Sequence, residues 1–294
     1  MKKISYIYII LAGVFWGTIG LFLTILLDLG FTRMQSAFIR MGIAAAGLAV
    51  YTLVSDKSLF RIKLRDLWCF IGTGLVSVLL MNVFYFYAIE KTSLSVAAVL
   101  LYTSPVFVMF LSALLFKEKL TAKKLTALPV TVLGCVCVTG LIGAGGVAGG
   151  AAGILAGIGS AVTYALYSIF GRYALNKGYS PVTVSLYTFI LSALGTLPFT
   201  AVSDAARLLC QPKAIFAALG IGIVSCLLPF LFYTKGLAGV ENSKASVIVT
   251  IEPLTATVIG AAVFHEAMTL QKIIGMALIF AAIALLSFDK CKSK

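Results

Sequence analysis

Residues 72–92, GTGLVSVLLMNVFYFYAIEKT, are matched 148 positions later by residues 220–240, GIGIVSCLLPFLFYTKGLAGV. The match continues without a gap over 72–124 and 220–272, where 17 of 53 positions are identical. A shared apolar composition does not explain identities such as Pro105/Pro253, Glu118/Glu266, Thr121/Thr269 and Lys124/Lys272. Self-similarity at a fixed offset indicates a repeated architecture, so the chain is predicted to consist of two similar halves.

The composition indicates that the solvent of this chain is a lipid bilayer. Of its 294 residues, 61% are hydrophobic and 11% are charged, whereas an ordinary soluble domain is about 45–50% apolar and about 25% charged. In a bilayer every spanning segment must satisfy its own backbone hydrogen bonds. A lipid-facing β-barrel would alternate apolar and polar residues over about ten positions, but the apolar runs here are long and unbroken, which favours helices.

A membrane-spanning helix needs about 20 apolar residues. The predicted spans are 5–27, 33–54, 66–89, 93–116, 124–142, 150–173, 180–202, 213–235, 242–264 and 270–288. Each half, 1–145 and 146–294, holds five of them, and Leu11-Ala12-Gly13 is echoed by Leu155-Ala156-Gly157. Because five is odd, the second half enters from the opposite side. The prediction is an all-α membrane protein of ten transmembrane helices, arranged as two inverted five-helix repeats.

The basic residues predict the orientation. Between the spans, 17 Lys and Arg residues fall on the side of the N-terminus and 5 on the other side. Cytoplasmic segments carry an excess of Lys and Arg, so both termini are expected in the cytoplasm and the Gly140 to Gly150 connection outside. The same rule accounts for the net charge of +13. A nucleic-acid partner is not expected, since the positive charges form no basic face on a folded domain.

The two five-span halves, together with five local features, resemble the drug/metabolite transporter superfamily, EamA type. The features are Trp16-Gly17, Ser104-Pro105, Glu252-Pro253, Glu118 and Glu266. The resemblance implies ten helices around a cavity and secondary transport, often export, of amino acids, amines or related metabolites. The second half has Ser160-Ala161 where the first has Trp16-Gly17, so the two halves are not expected to form equivalent substrate walls.

The expected function is therefore a secondary transporter in the cytoplasmic membrane that moves a small metabolite, as an exporter, by alternating access. An uptake carrier for a small cationic or nutrient solute, a channel and a lipid-linked carrier flippase are the alternatives. A membrane enzyme is disfavoured, because the one histidine, His265, lies at a span boundary and the aspartates lie outside the spans. The expected partners are the small-molecule substrate and membrane lipid, and a homodimer is left open.

Neither a cofactor nor a metal is expected. The sequence has no Walker or Rossmann glycine pattern. The six cysteines fall mostly inside apolar runs, where they are expected to pack as small apolar side chains.

Six residues inside the spans are the candidates for substrate binding and coupling. Trp16, Asn82, Tyr102 and Tyr164 are the candidate substrate contacts, with helix packing as the alternative, because a deep indole N–H or phenol O–H needs a partner. Arg40 is predicted to bind a substrate carboxylate, to pair with Glu252 or to contact helix carbonyls. Glu252 lies near the predicted midplane, where a carboxylate is expensive, and is predicted to be a coupling site or a buried polar group beside Pro253.

Two further features lie at helix ends and on a helix face. Glu118 and Glu266 are equivalent in the repeat and are predicted either to be solvated helix ends or to act as latches at the two mouths. Gly13, Gly17 and Gly20 form a small-residue face in the first span, which is typical of close helix packing, with a hinge as the alternative.

Overall fold

The computed structural model describes residues 2–141 and 150–287. The expected outer connection around Gly146 and the C-terminal residues after 287 lie outside the described residues. We label the long helices α1 (Lys2–Trp16 and Ile19–Asp28), α2 (Arg33–Ser55), α3 (Leu67–Ile71, Gly72–Leu79 and Leu80–Lys91), α4 (Leu94–Leu101 and Ser104–Phe116), α5 (Ala122–Val138), α6 (Ala151–Asn176), α7 (Pro181–Thr196), α8 (Pro212–Leu219, Gly220–Leu227 and Leu228–Leu237), α9 (Asn242–Ile248 and Ile251–Phe264) and α10 (Leu270–Ser287). Single helical turns lie at Lys57–Phe60, Leu64–Asp66 and Leu197–Phe199, and a short helix at Val202–Leu208.

The described part of the chain is all helical, and eight of its helices are long and apolar enough to cross a membrane. The other two long helices, α5 and α10, are 17 and 18 residues long and pack against each other. Large apolar side chains such as Val54, Phe110 and Leu155 are more than half exposed to the surroundings. A surface of this kind suits lipid, since a soluble monomer rarely exposes large contiguous apolar patches.

Helix ends in the two halves have the same backbone geometry at equivalent positions. Lys117 and His265 are 148 residues apart, and they are the two non-glycine residues with positive φ in the described chain. Each ends its helix in the left-handed conformation, which closes the last turn. Thr121 and Thr269 then begin the next helix by accepting the backbone N–H three residues later. The sequence repeat is therefore also a repeat of local structure.

The middle of α3 and the middle of α8 both contain a π-helical segment, and both segments begin with two glycines two residues apart. These glycines allow close contact with the other half: Gly72 and Gly74 lie against α6 and α7. Gly222 of the second half lies against Ile43 of α2 in the first half, where an added Cβ would be 2.6 Å from the Cβ of Ile43. Each half thus packs its third helix against early helices of the other half.

Helices α1, α4 and α9 are interrupted near their centres. The breaks in α4 and α9 lie at nearly equivalent positions of the repeat, about one turn before Pro105 and Pro253. Proline causes such breaks because it lacks an N–H and its ring clashes with the carbonyl four residues earlier. In α1 the break is at Gly17-Thr18, whereas α6 runs unbroken through the corresponding region. Pro253 allowed a kink in α9 to be expected, and the break in α1 falls at Gly17, where a hinge was the alternative to close packing.

Candidate substrate cavity

A cavity of about 390 Å³ lies between the two halves. Its walls come mainly from α1 to α4, with single residues or short stretches of α6, α8 and α9. It reaches the surface at Arg33 and Leu94, of which Leu94 is 62% exposed. We call this side of the molecule, where α1 ends and where α2 and α4 begin, the open end. The volume lies within the usual range for small-molecule sites, about 300–1,000 Å³.

Aromatic rings form the inner part of the wall. Trp16 packs edge-on against Phe230 with ring centroids 5.1 Å apart, and it contacts Tyr164 at 6.3 Å. These three rings and Tyr102 border the cavity. The structure therefore brings three of the four predicted substrate contacts onto one aromatic surface, with Asn82, the fourth, also lining the cavity. Aromatic faces of this kind bind apolar or cationic groups.

Arg40 places a positive charge in the cavity wall. The side chain is 9% exposed, and its Nη2 donates to Asn82 Oδ1 over 3.3 Å. The amide nitrogen of Asn82 donates in turn to the Val78 carbonyl at 2.8 Å, which holds the amide in the orientation that faces Arg40. The Nε of Arg40 has no hydrogen-bond partner within residues 2–141 and 150–287. A buried guanidinium with an unused donor can bind an anionic group.

Glu252 lies on the same cavity, directly after the break in α9. Its carboxylate interacts with the Tyr102 hydroxyl and with the charge of Arg40. The backbone around it is packed tightly against α1, because a Cβ at Gly17 would lie 2.8 Å from the Glu252 carbonyl oxygen. The breaks in α1, α4 and α9 therefore meet around one carboxylate.

Two second-half equivalents of cavity residues are buried on the side away from the mouth, whereas Phe230, the equivalent of Asn82, lines the cavity. Tyr85 and Ile89 line the cavity, whereas Tyr233 is 4% exposed and Leu237 is fully buried. The Tyr233 hydroxyl shares a hydrogen bond of 2.8 Å with Ser168 of α6. We call this side the closed end. The cavity is thus open where the first half supplies the wall and closed where the second half would supply it.

A charged cluster seals the closed end. Glu118, which follows α4, accepts hydrogen bonds from the backbone N–H groups of Asn242 (2.8 Å) and Ser243 (3.2 Å) and from the Ser243 hydroxyl. Lys124 is 1% exposed and lies 3.6 Å from Glu118 and 2.9 Å from Glu241. Arg172 of α6 reaches across to the Asn242 side chain at 2.9 Å and to the Val240 carbonyl. The cluster joins the end of α4 to the start of α9.

Glu266, the repeat equivalent of Glu118, has different surroundings. It is 53% exposed and pairs with Lys272 at 2.9 Å. Glu118, by contrast, is 9% exposed. Neither glutamate borders the main cavity. Glu266 is therefore a solvated helix end in this conformation. Glu118 is not, because its carboxylate is buried between the halves.

A second contact at the closed end lies near the surface. Lys177, just after α6, donates to Asp66 at 2.6 Å, and Tyr179 donates to the other oxygen of the same carboxylate. The hydrogen bond to Asp66 raises the pKa of Lys177 above its usual value. Asp66 precedes α3 and Lys177 follows α6. This contact therefore joins two connections that the sequence placed on the same side of the membrane.

Many lining residues were not among the substrate contacts chosen from the sequence, and Tyr85, Phe230 and Arg33 are three of them. Tyr85 and Phe230 lie on the wall, and Arg33 lies at the mouth. The identity of Tyr85 and Tyr233 in the repeat was a usable signal for the first of these. Phe230 is the repeat equivalent of Asn82, so the repeat offered a signal for it as well. Arg33 resembles an ordinary solvated helix start.

Comparison with known proteins identifies the family. The EamA-like transporter family matches residues 3–140 and again residues 151–288. The chain belongs to this family. Membership and the eight long apolar helices make it a multi-pass integral membrane protein.

The relatives of this EamA-like chain are transporters by name. An "Uncharacterized transporter" of Archaeoglobus fulgidus is 31% identical over 68% of this chain and 69% of its own length. A second one from the same organism is 28% identical over 96% of this chain and 98% of its own length. An "Uncharacterized inner membrane transporter YicL" of Salmonella typhimurium is 23% identical over 96% of this chain and 94% of its own length.

A solved structure supports the fold of this EamA-like chain. A crystal structure of a protein 19% identical in sequence superposes with a TM-score of 0.79 and covers 97% of this chain and 96% of its own chain. At this identity the likeness concerns the fold alone.

Proposed function

We propose that the chain is a secondary transporter that carries a small metabolite, such as an amino acid or an amine, out across the cytoplasmic membrane by alternating access. One observation carries the proposal. The cavity is open at the end lined by the first half, while the equivalent residues of the second half are buried at the other end. Exchanging the two half-conformations would close the open end and open the closed one.

The proposal includes ten membrane crossings, organised as two inverted five-helix repeats over 1–145 and 146–294. Eight long helices support it directly. Two further contacts support crossings by the shorter pair. α5 begins beside Glu118 at the closed end. Leu286, near the end of α10, packs against Ala127 of α5 and Val247 of α9. Inverted repeats also account for the equivalent helix ends at Lys117 and His265, which lie on opposite sides of the cavity.

The orientation we propose places the closed end in the cytoplasm, so that the conformation described is outward-open. The excess of basic residues in the connections at that end supports it. A cysteine introduced at Ser58, between α2 and α3, should react with an impermeant maleimide only after the cells are permeabilised. A cysteine at Thr32, before α2 at the open end, should react in intact cells. The reverse pattern would invert the orientation.

The side chains that line the cavity wall indicate the substrate class that we propose. An aromatic surface, one guanidinium and one carboxylate suit a small solute with an apolar part and an amino group, with or without a carboxylate of its own. Uptake of a nutrient solute, passage through a channel and flipping of a lipid-linked carrier are the competing functions. Uptake differs from the proposal in the direction of transport, a channel in a flux that does not saturate, and a flippase in the size of the solute.

Counterflow into liposomes tests the proposal. Purified protein is reconstituted into liposomes loaded with unlabelled amino acids or amines, and uptake of the labelled solute is followed. We expect saturable exchange, and we expect Tyr102→Ala to lower it at least tenfold below saturation, because a lost aromatic contact is worth about 1.4 kcal/mol or more. Tyr87→Ala is the matched control, since Tyr87 is 42% exposed and pairs with Lys91 outside the cavity. Flux that does not saturate would indicate a channel, and equal losses in both variants would remove Tyr102 from the site.

The same liposomes test whether Glu252 couples transport to protons. Glu252→Gln keeps the shape of the side chain but removes its titratable group. If the carboxylate is the coupling site, the variant should still exchange labelled substrate but should lose the accumulation driven by an imposed pH gradient. Accumulation equal to that of the unaltered protein would leave Glu252 as a buried polar group beside Pro253.

A further inference from the structure

The contact between Glu118 and the start of α9 joins the two halves of the chain. Glu118 belongs to the first half, while Asn242 and Ser243 belong to the second. A carboxylate that accepts two backbone N–H groups at a helix start satisfies donors that the helix itself leaves unpaired, and it interacts favourably with the helix dipole. The Glu118 side chain is 9% exposed. If the end of α4 and the start of α9 separated, its carboxylate would lose the hydrogen bonds that it accepts from Asn242 and Ser243.

Every component of this contact is repeated at the open end. Ser95 is the equivalent of Ser243, Glu266 of Glu118 and Lys272 of Lys124, and all three pairs are identical in the sequence. Glu266 also follows a left-handed residue, as Glu118 does, so that both glutamates leave their helices with the same backbone geometry. The two ends differ at Asn242 and Glu241, whose equivalents are Leu94 and Ser93, and in the partners of the two glutamates. Glu266 pairs with Lys272 at the surface, and Leu94 at the start of α4 is exposed at the mouth of the cavity.

We infer that Glu118 and Glu266 are two alternating latches, each of which closes one end by binding the start of a helix in the other half. In the conformation described, Glu118 holds Asn242 and Ser243 and closes the proposed cytoplasmic end. In the opposite conformation, Glu266 accepts the backbone N–H groups of Leu94 and Ser95 and the Ser95 hydroxyl, and it closes the outer end. The inference rests on the proposed alternating access and assigns its positioning residues, including Ser95, which has no other assigned role.

The relative strength of the two latches then sets the resting conformation. Loss of a hydrogen bond to a charged group changes an equilibrium by a factor of about ten or more. Removing Glu118 is expected to favour the inward-open form, and removing Glu266 is expected to favour the outward-open form further. A purely structural role for the two glutamates would not produce opposite effects.

Cysteine accessibility in the absence of substrate tests this directly. In protein whose native cysteines have been replaced, Ile89→Cys reports on the open cavity and its equivalent Leu237→Cys reports on the closed end. Alkylation rates are measured with purified protein, well below the unfolding temperature of each variant. We expect Glu118→Ala to raise the rate at Leu237→Cys at least tenfold and to lower the rate at Ile89→Cys. We expect Glu266→Ala to lower the rate at Leu237→Cys.

Two further variants keep the test decisive. Ser243→Ala removes only the hydroxyl contact, so it should shift the rates in the same direction as Glu118→Ala even if the latter folds poorly. Glu90→Ala is the control, because Glu90 is an exposed glutamate at the open end whose partner is its neighbour Lys91. It should leave both rates unchanged.

The possible failures are distinguishable. If Leu237→Cys reacts measurably without latch substitutions, but Glu118→Ala and Glu266→Ala do not shift it in opposite directions, the latches are overturned while alternation stands. If Leu237→Cys does not react in any variant while Ile89→Cys reacts in all of them, the chain does not alternate, and the proposed function fails with the latches.

Discussion

Tyr85 and Tyr233 hold the same position in the two halves, yet their surroundings differ completely. Tyr85 lines an open cavity, whereas Tyr233 is 4% exposed and hydrogen-bonded to Ser168. The same contrast separates Glu266 at the surface from Glu118 between the halves. Equivalent residues of the two repeats therefore lie in different environments in one molecule. The comparison teaches that the identity of a residue does not determine its environment here, and that contacts between the halves do.

The largest effect of a substitution on stability is expected where the two halves are in contact along α1. A Cβ at Gly17 would lie 2.5 Å from Thr255 Cβ and 2.8 Å from the Glu252 carbonyl oxygen, both in α9, whereas a Cβ at Gly20 has no atom within 4 Å. Gly17→Ala should destabilise the protein by about 1–3 kcal/mol through overpacking. Gly20→Ala should be neutral or stabilising by up to about 1 kcal/mol, because alanine favours the helix.

Thermal unfolding of the two alanine variants in detergent measures this difference. Equal unfolding temperatures would show that α1 and α9 are not in close contact at Gly17. The packing around Gly17 would then not differ from the packing around Gly20.

A smaller effect is expected at the tyrosine pair itself. Tyr233→Phe removes the hydroxyl that bonds Ser168 in a buried site, so it should destabilise the protein by about 1 kcal/mol. Tyr85→Phe removes a hydroxyl beside an open cavity and should leave stability unchanged within about 0.5 kcal/mol. Chemical denaturation of both variants gives the comparison. A larger loss for Tyr85→Phe would mean that the open end, and not the closed one, depends on its tyrosine for stability.

Several features followed from the sequence because each depends on composition or on spacing along the chain. Long apolar runs require helices in lipid, and the bounds of the eight long apolar helices lie within a few residues of predicted spans. Pro253 indicated a kink in its helix because proline cannot donate a backbone hydrogen bond. The charges of Arg40 and Glu252 marked a site, since an ionisable group within a span is costly unless it has a function. The family resemblance was confirmed by the matches to both halves.

The candidate site was predicted less completely, for a physical reason. Trp16, Asn82, Tyr102, Tyr164, Arg40 and Glu252 were chosen one by one as deep polar or aromatic residues, and the structure places them on one cavity. Their roles in binding remain proposals. Phe230 was missed because an apolar ring can face lipid, core or cavity with the same local sequence, and only the packing of neighbouring helices distinguishes these.

The sequence by itself determined the solvent, the helices, the repeat and the residues at which helices end. The tertiary structure alone decided which of two equivalent glutamates is buried and which end of the cavity is open. Local sequence alone does not make that choice for the glutamates, because Glu118, Lys124 and Ser243 are identical to their repeat equivalents Glu266, Lys272 and Ser95. The choice rests on contacts between distant segments, such as Glu118 with Ser243 and Arg172 with Asn242. These contacts form only when the two halves pack together.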